Sequence, residues 1–169
     1  MTREHTSPDA RGAPPTAVAL PLVERLLPHR GPMLFVERVL HTDFAGSGTV
    51  TAILTAGKPY FDAAGAFAQH WLIEIMAQAV GCVFSLQERC EDDVGAPKLG
   101  YLVAIDDYRF FSGERLAVGS ILTIEVQLIH AFYPIGQYRA LVRRGGVEVA
   151  HSTMKFMTDD ERSLPFDAF

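Results

Sequence analysis

Between Phe67 and about Gln87 the chain has no proline and a single glycine, and its apolar residues recur at the three- and four-residue intervals of a helix. No other segment is long and regular enough to be a second long helix. The segments after it are of another kind. SILTIEVQLIHAFY (120–133), QYRALVRR (137–144) and VEVAHSTMKFM (147–157) are rich in β-branched and aromatic residues and are separated by Pro-Ile-Gly and Gly-Gly turns. That is the pattern of an antiparallel meander. Before the helix, MLFVERVLHTD (33–43) and GTVTAIL (48–54) read as a hairpin, and PLVERLLPH (21–29) as a brief helix or turn. After the turn-rich EDDVGAP (91–97), LGYLVAI (99–105) and DYRFF (107–111) read as further extended chain. One long helix with five or six strands predicts an α+β domain in which a curved antiparallel sheet wraps the helix.

At 169 residues, with 49% hydrophobic residues, the chain suits one core. The domain is expected over 21–158, with a flexible N-terminal tail at 1–20 and a C-terminal tail at 159–169, both charged or proline-bearing and without periodicity. A formal net charge of −5 offers no basic field for nucleic acid. No stretch reaches the ~18–20 apolar residues of a membrane span, and the polar start lacks the apolar core of a signal peptide. The expectation is a cytoplasmic protein. Cys82 and Cys90 form no CxxC pair and have no histidine cluster nearby, so neither a disulfide framework nor a metal site is expected.

On the helix, Phe67, His70, Trp71, Glu74, Ala77, Gln78 and Gly81 fall within about 60° of Glu74. Polar and small residues share one stripe of an otherwise apolar helix, as though room were left beside them. A carboxylate taken out of water without a partner costs several kcal/mol, on the order of the whole stability of a domain. Glu74 therefore either bonds to Gln78, His70 or a loop amide and pins the helix, or serves as an acid or base in a pocket. His70 lies one turn earlier, near the helix start, where the macrodipole favours a neutral imidazole able to accept a proton.

LLPHRGPMLFVERV (26–39), IEIMAQAVG (73–81) and LGYLVAIDDYRFFSGERLAVGSILTIEV (99–126) resemble, in that order, segments of the FabA/FabZ-type 3-hydroxyacyl-acyl-carrier-protein dehydratases. The match spans roughly 22–157, and the short-loop dehydratase-like proteins of aryl polyene and related lipid pathways are the most similar branch. The resemblance implies a hotdog fold that dimerises, as a homodimer or with another hotdog protein, so that two sheets become continuous. It also implies an acyl chain carried on the phosphopantetheine of an acyl carrier protein, with no nucleotide, metal or other cofactor of the enzyme's own. In that family a loop histidine removes the α-proton and the helix carboxylate, here Glu74, contributed by the other subunit, handles the departing 3-hydroxyl.

PYFDAAGAFAQHWLIE (59–74) is about four residues shorter than the family's loop, and the positions aligned with its histidine are Tyr60 or Ala64. His70 would then replace the missing imidazole, or the chain would bind acyl carrier protein without catalysis beside an active partner. A hotdog thioesterase is a third reading. Glu74 and His70 are the catalytic candidates, and Gln78, Trp71, Tyr60 and Phe61 those for binding substrate. His29 and Arg30, in the LPHR segment, are read as structural, and Arg109 as a surface or dimer-interface residue. Arg115, Arg139, Arg143 and Arg144 are available to meet an acidic carrier.

Overall fold

The computed structural model describes residues 20–87, 100–111, 115–132 and 134–158. Cys90, the 91–97 turn and the two tails lie outside them, except Leu20, which packs against the core. Six strands form one sheet: β1 (Arg38–Thr42), β2 (Ser47–Ile53), β3 (Gly100–Phe110), β4 (Ile121–Phe132), β5 (Ile135–Arg144) and β6 (Val147–Thr158). Their order across the sheet is β1-β2-β4-β5-β6-β3, with every neighbouring pair antiparallel. The one α-helix among the described residues, α1 (Trp71–Gln87), lies across β2, β4 and β5. Its Leu72, Ile75, Met76, Ala79, Val80 and Val83 share a core with Val50, Ala52, Leu122, Ile124, Ala140, Val142 and Ala150 of the sheet. Alternate residues of each strand reach that face, as the period of two requires.

Three boundaries differ from the sequence reading, each for a local reason. The strand expected over 33–43 is only β1, because the backbone of its first part bonds to side chains rather than to a strand. Met33 O accepts Gln78 Nε2 at 2.7 Å, Phe35 N donates to Gln78 Oε1 at 2.8 Å, and Leu34 O accepts Lys58 Nζ at 2.8 Å. The helix expected from Phe67 begins at Trp71. Phe67 instead pairs with Phe61 across a tight loop, Ala68 N bonds Tyr60 O at 2.9 Å, and Asp62 Oδ1 accepts from Ala64 N and Ala66 N. Phe67 looked helical by spacing, yet its ring packs with those of Tyr60 and Phe61 at 5.7 and 5.8 Å. The Pro-Ile-Gly turn is also shorter than expected: Ile135 and Gly136 already pair with Phe132 and Ala131. The Gly-Gly turn stands as read, with Gly145 and Gly146 at φ of 56° and 85°.

β3 is the long edge of the sheet. Two register shifts bend it, between Leu102 and Ala104 and between Asp106 and Arg109, with Asp107 in the left-handed region at φ 49°. Tyr101, Val103 and Ile105 stand exposed along it. At the opposite end of the sheet, Gly46 has φ 103°, and a Cβ there would meet Leu128 Cβ at 2.7 Å. Gly46→Ala is therefore expected to lower stability by ~2 kcal/mol or more, measured by urea denaturation.

Candidate active site

The site is built where the segment Leu26–Phe35 crosses α1. Ser85 Oγ donates to Leu26 O at 2.8 Å, and Leu27 lies so close to the helix that a Cβ on Gly81 would be 2.8 Å from its Cδ2. The small residue in the helix stripe thus admits a second chain segment. Arg30 Nη1 turns back to Leu27 O at 2.6 Å and His29 O at 2.7 Å. Farther along, Lys58 Nζ reaches Gly31 O at 2.7 Å and Leu34 O at 2.8 Å.

Gln78, 1% exposed, joins this segment to the helix. Its oxygen accepts Phe35 N, and its amide donates to Met33 O and, at 2.9 Å, to Glu74 Oε1. Removing it leaves two backbone groups and a carboxylate without their partners. Gln78→Leu is expected to destabilise the fold by ~2 kcal/mol, again read from denaturant midpoints.

Glu74 Oε1 also faces His29 Nε2 at 3.4 Å, each side chain about one-third exposed at 33% and 34%. That separation is within ion-pair range and longer than the ~2.6–3.2 Å of direct proton transfer, as is common for catalytic groups without a substrate between them. The other ring nitrogen, His29 Nδ1, is buried with no hydrogen-bond partner among the described residues.

The pair stands at one end of a cavity of about 260 Å³. Ala77, Gln78 and Gly81 of α1 form one wall, Leu27 and Pro28 another, and Phe84, Tyr101, Leu102 and Phe156 the apolar remainder. Polar groups at one end and an apolar body suit a ligand with a reactive head and a hydrocarbon tail. The larger concavity, about 600 Å³, lies elsewhere, between β1, β2, β4 and β5. Its carboxylates are occupied: Glu125 bonds Arg143 at 2.9 Å, and Asp43 Oδ1 accepts the turn amides of Ala45 and Ser47, both at 2.8 Å. His41 also lines it, and no hydrogen bond or ion pair joins that histidine to either carboxylate among the described residues.

Of the residues singled out in the sequence, Glu74 and Gln78 line the cavity. His70 does not: it is exposed at the foot of the helix, its ring 5.6 Å from that of Trp71. Trp71 packs edge-on against Phe35 at 5.4 Å. Tyr60 is 1% exposed, its hydroxyl accepting Thr55 N at 2.8 Å, and Phe61 packs on it at 5.2 Å. Trp71 and Tyr60 both meet Phe35, and none of the four lines the cavity at Glu74. The amide of Trp71 is engaged by Ala68 O at 3.0 Å, so it is not free to hold an oxyanion.

The residue that sequence reasoning set aside is His29. Nothing in the spacing connects it to Glu74; the one signal was the LPHR segment itself, read as a structural turn. Among the other reactive types, burial pushes the Cys82 thiol up to about 12, so it presents no thiolate at neutral pH. Burial also raises Tyr108, whose hydroxyl donates to Gln69 O at 2.9 Å and ties β3 to the start of α1.

A six-stranded antiparallel sheet packed on the one α-helix of the described residues, with a carboxylate of that helix opening into a cavity, makes the domain a hotdog fold. Solved structures agree on the fold. A chain of the dehydratase heterocomplex ApeI:P from Xenorhabdus doucetiae superposes with a TM-score of 0.71 at 20% identity, covering 84% of this chain and 93% of that one. A hypothetical thioesterase with coenzyme A from Streptococcus pneumoniae does so with a TM-score of 0.58 at 14% identity, over 75% of this chain and 88% of that one. Residues 21–165 match the ApeP-like family, that of the ApeP dehydratase, and the chain belongs to it. Among characterised relatives, the 3-hydroxyacyl-acyl-carrier-protein dehydratase FabZ of Brucella ovis is 28% identical over 138 residues, 78% of this chain and 83% of that enzyme. FabZ of a Geobacillus species is 26% identical over 147 residues, 83% and 95% of the two chains.

Proposed function

We propose that the chain dehydrates a 3-hydroxyacyl thioester, held on the phosphopantetheine of an acyl carrier protein, to the trans-2-enoyl thioester. The observation that carries this is the approach of His29 Nε2 to Glu74 Oε1, 3.4 Å apart, at the end of an apolar cavity. Family membership and the FabZ relatives support the same reaction. In it a C2–H bond and the C3–O bond break, a C2–C3 double bond forms, and one proton and the hydroxyl leave as water. His29 takes the α-proton and Glu74, protonated, gives one to the departing hydroxyl. Transfer of the proton from His29 to Glu74 across the short gap between them then restores both groups. The chemistry is redox-neutral proton transfer, so the proposal gives the enzyme no cofactor of its own and leaves the pantetheine to the carrier.

The same reading places the protein in the cytoplasm with its carrier; no helix of the described residues is long and apolar enough to cross a membrane. It also makes the chain one half of a hotdog dimer. Exposed Tyr101, Val103 and Ile105 on the unpaired edge β3 support that, because a long apolar edge left bare is an aggregation site. Tyr101 and Leu102 of this edge also border the cavity, so a partner there would help close the acyl site. The dehydratase heterocomplex among its structural neighbours makes a second hotdog protein a candidate for that partner beside a second copy.

The test is mass spectrometry of a 3-hydroxyacyl carrier protein incubated with the chain, alone and with a candidate hotdog partner. Loss of one water is expected. Release of free pantetheine thiol would instead make it a thioesterase. No product from the chain alone, with product from its partner whether or not the chain is present, would leave it a noncatalytic subunit.

A further inference from the structure

We infer that Lys58, in the loop after β2, is a positioning residue for His29. The inference rests on the pairing of His29 with Glu74 proposed above. Lys58 stands two residues before Tyr60, in the loop after β2, and its ammonium reaches across to Gly31 O at 2.7 Å and Leu34 O at 2.8 Å. Those two carbonyls bracket the single 3-10 turn Gly31–Met33 that follows His29. Gly31 enters that turn in the left-handed region, at φ 54°. A backbone so bent does not hold its shape by a regular ladder, and a cation with three donors on two of its carbonyls fixes it at both ends. The ring of Phe35 lies 5.7 Å from the ammonium and steadies it from one side.

His29 therefore sits between two cationic clamps. Arg30 holds the carbonyls of Leu27 and His29, and Lys58 holds those of Gly31 and Leu34. Gln78 ties the downstream end of the same segment to the helix that carries Glu74. The position of the imidazole relative to the carboxylate is thus set from two elements, α1 and the loop after β2. Lys58 does not line the cavity and two of its three donors are held by Gly31 O and Leu34 O, so its part in the reaction is to fix geometry. A displacement of His29 by about 1 Å is enough to slow proton transfer on the order of a hundredfold.

The test is steady-state dehydration of a 3-hydroxyacyl carrier protein by the full chain, with whatever partner it requires, in wild type, Lys58→Met, Lys58→Arg, His29→Ala and the Lys58→Met/His29→Ala double variant. Lys58→Met is expected to lower kcat about tenfold or more with KM little changed, and Lys58→Arg to restore most of it. The double variant should be no slower than His29→Ala, because a clamp has nothing to position once the imidazole is gone. If Lys58→Met does not fold, Lys58→Gln, which keeps a donor for one carbonyl, takes its place with the same readings. Wild-type kcat in Lys58→Met, with His29→Ala inactive, overturns the role of Lys58 and leaves the pairing standing. A further loss in the double variant, beyond that of His29→Ala, shows a general structural role and overturns it as well. Full activity of His29→Ala removes the pairing, and the Lys58 inference with it.

Discussion

Glu74→Gln is expected to reduce dehydration by ~10²–10⁴-fold while leaving the fold intact, with circular dichroism and denaturant midpoints close to wild type. The substituted amide keeps the volume of the carboxyl, and its oxygen can still accept Gln78 Nε2, now at 2.9 Å from Glu74 Oε1. What it cannot do is give a proton to a departing hydroxyl or receive one from His29. Loss of activity without loss of stability therefore separates a chemical role from the alternative that Glu74 only pins the helix. A variant that unfolds more readily and still turns over would favour pinning, because the Glu74–Gln78–Met33 chain of hydrogen bonds would then be what matters.

The second large effect concerns which histidine acts. His29→Ala is expected to cost ~10²-fold or more in kcat, and His70→Ala to change it little, measured in the same assay. The reason is placement alone. His29 Nε2 is 3.4 Å from Glu74 Oε1 and lines the cavity, whereas the His70 ring lies on Trp71 in solvent. The opposite result would mean that His70 reaches the acyl group from the partner subunit or after a rearrangement around Trp71.

That contrast also shows what the sequence made legible. The helix stripe of Glu74, Ala77, Gln78 and Gly81 followed from a period of 3.6, and all four residues line the cavity with Phe84 one turn on. Periodicity works within an element because the backbone alone sets the angles. The α+β plan of an antiparallel sheet on one helix was legible for the same reason, since one apolar helix and a β-rich remainder leave few ways to cover both, and the resemblance to the dehydratases is what made it a hotdog. His29 was not, because its approach to Glu74 depends on contacts between elements far apart in sequence: Leu27 on Gly81, Ser85 on Leu26, Lys58 on Gly31 and Leu34. His70 lies away from the cavity for the converse reason. The one-turn spacing that would put it beside Glu74 holds only if the helix extends back to it, and the loop bonds of Ala66 and Ala68 to Asp62 and Tyr60 stop the helix at Trp71. Tyr60 and Phe61 likewise looked available for an acyl group, yet their rings fill the space between Phe35 and Phe67.

The cavity has a consequence for how the site is completed. Its wall on the side of β3 consists of Tyr101 and Leu102, and β3 is an unpaired edge. A partner strand added there would exclude water from the apolar end and strengthen the electrostatics of the pair at the other. Under the proposed association, activity is expected to rise with protein concentration, and dilution that separates the partners to lower the specific rate.

The most direct measurement of the central claim is exchange at the α-carbon. Dehydration is reversible, and hydration of the enoyl thioester in deuterium oxide places a deuterium at C2, delivered by whichever group acts as the base. Mass spectrometry of the thioester after incubation is expected to show deuterium at C2 with wild type and His70→Ala, and none above background with His29→Ala or Glu74→Gln. Undiminished incorporation by His29→Ala would contradict the assignment of His29 and Glu74 as the pair that carries the reaction.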